Sequence, residues 1–414
     1  MPQKGKAVNV TILSMLILIY AISKINLPIN TEVKQYLGYP TDSLLNFTEL
    51  TSKYGYQTQE HSVMTEDGYI LKLFRIVKDR KCLIKTPPVV LMHGLLLSSD
   101  AWIDAGPEAG LAYLIANKCH DLWVANCRGN YYSRAHKTLN PNTDAEFWNF
   151  TTNEIGSYDV PAIIDYVLDE TGEEKLNYIG YSQGAGTFFI MCSEKPGYCD
   201  KVNVLIALAP ASRQINTNSV VYRTFTKSMM KLERALARFG VQEVFSKGAL
   251  SQEFLAFFCQ LNSITEKLCW AGQSLLDNFH PESVKNTTTR ALFGHFPAGT
   301  SVHSLAWYGQ SMDSCDFQKF DYGAGNLERY GTVLPPKYNL SAVTVPVVAI
   351  YGQNDGMVDT KDVEWLIDQL PNVIEAWKVT DPKWNHFDVT YSQYTGELIF
   401  PKISSYLRYN FSRN

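Results

Sequence analysis

Short apolar runs alternating with helix-forming stretches restrict what this chain can fold into more than any other feature. Pro88-Val-Val-Leu-Met ends at His93-Gly94, Asp121-Leu-Trp-Val-Ala at Asn126, and Leu176-Asn-Tyr-Ile at Gly180. Val204-Leu-Ile-Ala-Leu-Ala ends at Pro210, Pro346-Val-Val-Ala-Ile-Tyr at Gly352, and Val373 to Val379 forms a final run. Strands separated by helices make a mostly parallel sheet covered on both faces. Such sheets carry their reactive groups beyond the carboxyl ends of the strands. Upstream, residues 61–76 read as a hairpin, with Asp67-Gly68 as a type I′ turn signal.

The alternation stops between about Ser212 and Ser341. Helix formers and bulky apolar residues dominate there, as in Met229-Met230-Lys-Leu-Glu-Arg-Ala-Leu-Ala-Arg and Glu253-Phe-Leu-Ala-Phe-Phe. The expected architecture is an α/β core over residues 24–211 and 342–414, with a helical cap or lid inserted over 212–341. A chain of 414 residues is long enough for both. The composition, 45% hydrophobic and 19% charged with a net charge of −4, is that of a globular protein. It gives no electrostatic support to nucleic-acid binding or to strong attraction to anionic membranes.

Lys4 and Lys6 precede an apolar run from Val8 to Ile22, with small residues at Ala21 and Ser23. This pattern predicts a secretory signal peptide over residues 1–23. The run is shorter than the roughly 20 apolar residues that span a bilayer; the alternative is an uncleaved anchor, the one route to stable membrane attachment. Sequons at Asn46, Asn149, Asn286, Asn339 and Asn410 agree with the secretory route. The expected location is extracellular, or else lysosomal or another secretory lumen. None of the eight cysteines forms a Cys-x-x-Cys pair or a zinc-spaced cluster, so no metal is expected. The closest-spaced candidates for pairing are Cys259 with Cys269 and Cys192 with Cys199, with connectivity open.

Gly180-Tyr181-Ser182-Gln183-Gly184 follows a strand-like run and precedes a helical stretch, Ala185 to Cys192. That is the setting of a nucleophile elbow. Flanking glycines permit the tight turn that projects the Ser182 hydroxyl, and the helix start supplies N–H groups for a developing oxyanion. A serine hydroxyl needs a base. Of the histidines after Ser182, His280, His295 and His303 fall in the inserted segment, where surface or packing roles are the simpler reading. His386 follows the last strand and is the candidate base. Asp355, after the strand ending near Tyr351, is favoured as the acid that orients it. Asp359 is placed to cap a helix, and Asp388 lies too close in sequence to His386. Oxyanion donors are expected at the backbone of Gln183 and of Leu95, with His93 as a structural turn residue.

These blocks resemble the acid lipase family of gastric and lysosomal lipases and their insect relatives. The likeness runs from about Tyr54 to about Asp388. It includes Thr65-Glu-Asp-Gly-Tyr-Ile-Leu, His93-Gly-Leu, Asn126-Cys-Arg-Gly-Asn, Glu146-Phe-Trp-Asn-Phe, Gly180-Tyr-Ser-Gln-Gly, Pro297-Ala-Gly-Thr-Ser, Tyr351-Gly-Gln-Asn-Asp and Asn385-His-Phe-Asp. The resemblance implies an α/β-hydrolase fold, a Ser182–Asp355–His386 triad, a Leu95/Gln183 oxyanion hole and a lidded apolar acyl pocket. It also fits a cap disulfide between Cys259 and Cys269. Two features depart from the family: Tyr181 stands where histidine is common, and Cys119, Cys127, Cys192 and Cys199 do not match its pattern. The expected activity is hydrolysis of neutral lipid esters, triacylglycerols or sterol esters, at a lipid–water interface and without a cofactor. The alternatives are a serine esterase or acyltransferase acting on other esters, and a non-catalytic lipid carrier on the same scaffold.

Overall fold

The computed structural model describes residues 28–77 and 86–409, together with Ser14, Ile25 and Phe411. The predicted leader, Ser14 apart, and the Asn410 sequon lie outside the described residues. Among the described residues no helix is long and apolar enough to cross a membrane.

The strands are β1 (Thr58–Met64), β2 (Tyr69–Ile76), β3 (Val89–Met92), β4 (Leu122–Ala125), β5 (Ala135–His136), β6 (Leu176–Tyr181), β7 (Val202–Leu208), β8 (Glu243–Val244), β9 (Thr300–Ser301), β10 (Val347–Tyr351) and β11 (Val373–Lys378). The main sheet runs β1-β2-β4-β3-β6-β7-β10-β11, with β5 beside β2, while β8 and β9 pair separately. From β4 to β11 every pairing is parallel; β1, β2 and β5 are joined antiparallel. Every residue of β3, β4, β6, β7 and β10 is buried, which explains why their sequences lack polar alternation.

Side chains of successive strand residues pass to opposite faces. Val90, Met92, Trp123, Leu205 and Val347 join one core under helices α2 (Val160–Thr171) and α3 (Gln183–Glu194). Val89, Leu91, Val124, Ile206 and Val348 join the other, covered by α1 (Leu111–Ala116) and α10 (Phe400–Leu407). The chain leaves β3 for β4 on one side and later enters β6 on the other. The carboxyl ends of β3 and β6 therefore form a switch point, where open α/β sheets place their ligands.

The hairpin forms, with a different turn. Thr65 N–H donates to the Tyr69 carbonyl at 2.8 Å, leaving a three-residue loop closed by Gly68 at φ +97°. A type I′ turn needs positive φ at both central residues, and Asp67 does not have it. Asp67 instead serves an ion network. The buried Arg128 guanidinium donates to Asp67 at 2.6 and 2.9 Å and to Asp159 at 2.7 Å, and lies 3.9 Å from the Tyr69 ring centre. One cation thus joins the hairpin, the loop after β4 and the start of α2. Replacing Arg128 with alanine strands two carboxylates, one wholly buried, and is expected to cost about 3–5 kcal/mol in unfolding free energy. Urea denaturation followed by circular dichroism measures it; a loss below about 1 kcal/mol would show the network to be dispensable.

Between β7 and β10 the chain makes a long excursion containing α4 (Val220–Arg238), α5 (Leu250–Phe258), α6 (Ser263–Leu276), α7 (Asn286–His295) and α8 (Val302–Ser311); α9 (Thr360–Gln369) follows β10. Met229, Leu232 and Leu236 share one stripe of α4 and pack with Val302 and Leu305 of α8 in a core of their own. Further along, Phe317, Phe320 and Tyr338 rejoin the main core. Both candidate cysteine pairs are disulfides, Cys192–Cys199 and Cys259–Cys269, with Cα atoms 5.4 and 5.7 Å apart. Cys119 is disulfide-bonded as well; Cys127 and Cys315 are free thiols.

Candidate active site

Ser182 stands between the last residue of β6 and the first of α3, with φ 52° and ψ −114°. A non-glycine residue in this region is strained and persists only where its surroundings enforce it. They do so here through close packing. A Cβ on Gly180 would come within 2.6 Å of the Ala185 nitrogen, and one on Gly184 within 2.3 Å of the Met92 carbonyl oxygen. Only glycine fits either position, so the elbow is pressed against the end of β3.

The three candidate residues meet although they are far apart in sequence. His386 Nε2 lies 2.9 Å from Ser182 Oγ, and Nδ1 lies 2.7 Å from Asp355 Oδ2. All three side chains are buried. The second oxygen of Asp355 accepts the N–H groups of Met357 and Val358 at 2.9 and 2.7 Å, which fixes the carboxylate's direction. Burial alone would lower the His386 pKa. The Asp355 charge and hydrogen bond, aided by Asp277, outweigh it and raise the pKa above 6.5.

The rivals go elsewhere. Asp359 caps α9 by accepting from Lys361 N–H at 2.9 Å. Asp388 binds His280 Nδ1 at 2.6 Å and the Asn385 N–H at 2.8 Å. His280 and His295 are buried ion-pair partners rather than surface residues, His295 lying 2.6 Å from Asp104. His303 faces Glu233 at 3.0 Å. His93 Nε2 accepts the Cys127 N–H at 3.2 Å, so Nδ1 carries the proton and donates to the Gly94 carbonyl at 2.8 Å. Burial pushes its pKa down to about 4, keeping it neutral in this structural role.

Leu95, in the loop after β3, and Gln183, the first residue of α3, flank Ser182. A Cβ on Gly94 would lie 3.2 Å from Ser182 Cβ, which puts the two chain segments in contact. Neither the Leu95 nor the Gln183 N–H donates a hydrogen bond among the described residues. Both remain available to an oxygen beside Ser182. Above the serine opens a cavity of about 240 Å³. Val221 and Phe225 of α4, Phe245, Leu255 of α5 and Leu276 of α6 roof it, and Leu95 to Leu97 and Met357 line the sheet side.

Sequence reasoning missed two contributors. The Tyr181 hydroxyl donates to the His386 carbonyl at 2.8 Å and so helps to hold the loop that carries His386. Asp277 accepts the His386 N–H at 2.7 Å. Its one sequence signal is an acidic residue at a helix C-terminus, where the dipole disfavours negative charge.

Such a sheet, with Ser182 on a strained turn at the switch point and His386 and Asp355 brought beside it by loops after later strands, has the architecture of the α/β-hydrolase fold. Comparison with known proteins places it further. A model of the α/β-hydrolase fold matches residues 87–391, and one described as a partial α/β-hydrolase lipase region matches residues 47–106. The chain is 39% identical to Lipase 1 of Drosophila melanogaster, over 84% of this chain and 76% of that protein. It is 34% identical to human Lipase member K, over 83% of this chain and 86% of that one. It is 32% identical to human gastric triacylglycerol lipase, over 90% and 93%. An epoxide hydrolase from Bacillus megaterium, solved with an inhibitor, shares the fold at a TM-score of 0.51 and 15% identity, covering 85% of this chain and 100% of its own. The chain belongs to the acid lipase family, a group of ester hydrolases on the α/β-hydrolase fold.

Proposed function

We propose that this protein is a secreted serine lipase that cleaves neutral lipid esters through an acyl-enzyme on Ser182. The observation that carries the reading is the Ser182–His386–Asp355 hydrogen-bonded chain opening into an almost wholly apolar cavity. Ser182 Oγ attacks the ester carbonyl carbon as His386 Nε2 takes its proton. The negative oxygen settles between the N–H groups of Leu95 and Gln183, each stabilising the transition state by about 3–4 kcal/mol. The carbon–oxygen bond of the leaving group breaks, and the alcohol departs with the proton from His386. Water then gives its proton to His386 and attacks the acyl-enzyme, freeing the acid and restoring Ser182. These steps use only side chains and backbone of this chain. A triacylglycerol or sterol ester agrees with the apolar lining, and the name of the human gastric triacylglycerol lipase favours the first. The leader-like N-terminus and the exposed sequons at Asn149, Asn286 and Asn339 support passage through the secretory route.

In this reading residues 212–341 act as a cap that meets the lipid surface. Ile264, Leu268 and Leu275 share a face of α6 and are 70%, 56% and 64% exposed, and Phe254 of α5 is exposed as well. Leu276, the next residue, lines the cavity, so exposed and cavity-facing positions alternate at the end of α6. Purified protein should hydrolyse emulsified long-chain triacylglycerol faster than soluble short-chain esters. Leu268→Glu should lower the emulsion rate about tenfold, since burying one leucine is worth roughly 1.5–3 kcal/mol, and leave the soluble-ester rate unchanged. A strong preference for short soluble esters would overturn the lipase reading and leave a serine esterase.

A further inference from the structure

Four consecutive residues after α6 each bond to a loop that carries a member of the triad. Asp277 Oδ1 accepts the Gly356 N–H at 2.8 Å, beside Asp355, and Oδ2 accepts the N–H groups of His386 and Phe387 at 2.7 and 3.1 Å. The Asn278 carbonyl accepts from Asn385 Nδ2 at 2.6 Å. The Phe279 carbonyl accepts from Asn354 Nδ2 at 3.2 Å. His280 Nδ1 lies 2.6 Å from Asp388 Oδ2. The segment Asp277–His280 is therefore a strap laid across both catalytic loops.

Asp277 is the member of the strap that folding alone would not favour. It is 3% exposed, ends a helix whose terminal carbonyls repel it, and makes no salt bridge among the described residues. Its charge rests on backbone N–H groups drawn from two separate loops, and those loops are the ones that must hold Asp355 and His386 within hydrogen-bond reach. Asp355 and His386 are the charged groups that face it, and Tyr181 is the further titratable group beside it. Burial and the Asp355 charge push its carboxyl well above the usual range, with His386 opposing.

We infer that Asp277 is a positioning residue: its carboxylate pins the acid loop and the base loop to one point. Because it ends α6, it also ties their alignment to the seating of the inserted segment. The inference rests on the serine-hydrolase reading of the site. An asparagine at this position has one acceptor oxygen and so can serve only one loop. Asp277→Asn is expected to lower kcat on p-nitrophenyl butyrate about ten- to a hundredfold, in line with loss of a charge-assisted hydrogen bond, with KM within about twofold. The acid limb of kcat/KM should move to lower pH, because one of the charges raising the His386 pKa is gone. Where the asparagine variant does not fold, Asp277→Ser, whose short side chain leaves room for water on the freed N–H groups, replaces it and is read in the same way. A kcat within twofold of wild type, or a fall in kcat with an unmoved acid limb, overturns the inference. Wild-type protein without Ser182-dependent hydrolysis overturns the reading of the site itself; hydrolysis that Asp277→Asn leaves intact overturns only the role of Asp277.

Discussion

Ser182→Ala is expected to lower kcat on a soluble ester by about 10⁶-fold, the loss typical when the nucleophile of a serine hydrolase is removed. The Oγ is the atom that His386 Nε2 reaches at 2.9 Å, and alanine leaves that base with nothing to deprotonate. A residual acceleration of about 10³–10⁴ over water should remain, because the Leu95 and Gln183 N–H groups are backbone and survive the change. Stability should change little, since alanine inherits the same strained φ of 52° and gives up no internal hydrogen bond other than the one to His386. A fluorophosphonate titration gives an independent measurement: about one equivalent incorporated by wild type and none by the variant. Equal rates for the two proteins would remove Ser182 from the mechanism.

Asp355→Asn is expected to cost about 10⁴-fold in kcat with little change in fold. The carboxylate accepts the proton on His386 Nδ1 and so leaves Nε2 free to accept from Ser182. An amide can present its own N–H to Nδ1. The ring proton then moves to Nε2, and the base faces the serine in the wrong tautomer. The variant also loses the main charge that raises the His386 pKa, so its acid limb should move to lower pH. In the wild type the raised pKa has opposite consequences for stability and rate. Protonated His386 contributes stability that is fully present below the unfolded value near 6.5 and is lost as pH rises through the folded value. Catalysis needs the neutral ring, so activity rises over the window in which that contribution fades. A pH–rate profile beside a pH–melting profile checks both signs; a variant with more than a tenth of wild-type kcat would rule out Asp355 as the orienting acid.

The sheet was legible in the sequence because β3, β4, β6, β7 and β10 are buried on both faces, so burial wrote itself as unbroken apolar runs. Ser182 and Asp355 could be read from position, since they follow β6 and β10, and His386 follows the half-buried β11. What escaped depends on partners far away in the chain. Asp67 looked like a turn residue, and local propensity supported that reading; its carboxylate is held by Arg128, 61 residues later. His280 and His295 carried no local sign that Asp388 and Asp104 would bury them as ion pairs. Asp277 offered only its unfavourable place at a helix C-terminus, because its value lies in N–H groups that no periodicity reports.

The excursion that carries the roof of the cavity leaves the sheet from β7 and returns to it at β10, and those two strands are neighbours. Such an arrangement resembles a bay between two adjacent pillars: what hangs there can be exchanged without moving either pillar. Substrate preference can then drift between relatives faster than chemistry does. The strap limits that freedom. Any replacement bay has to arrive with a carboxylate where Asp277 stands, or the exchange reaches the catalytic loops as well as the pocket. A graft between members of this family is therefore best cut ahead of Asp277 and not after His280, keeping the native strap with the core it steadies.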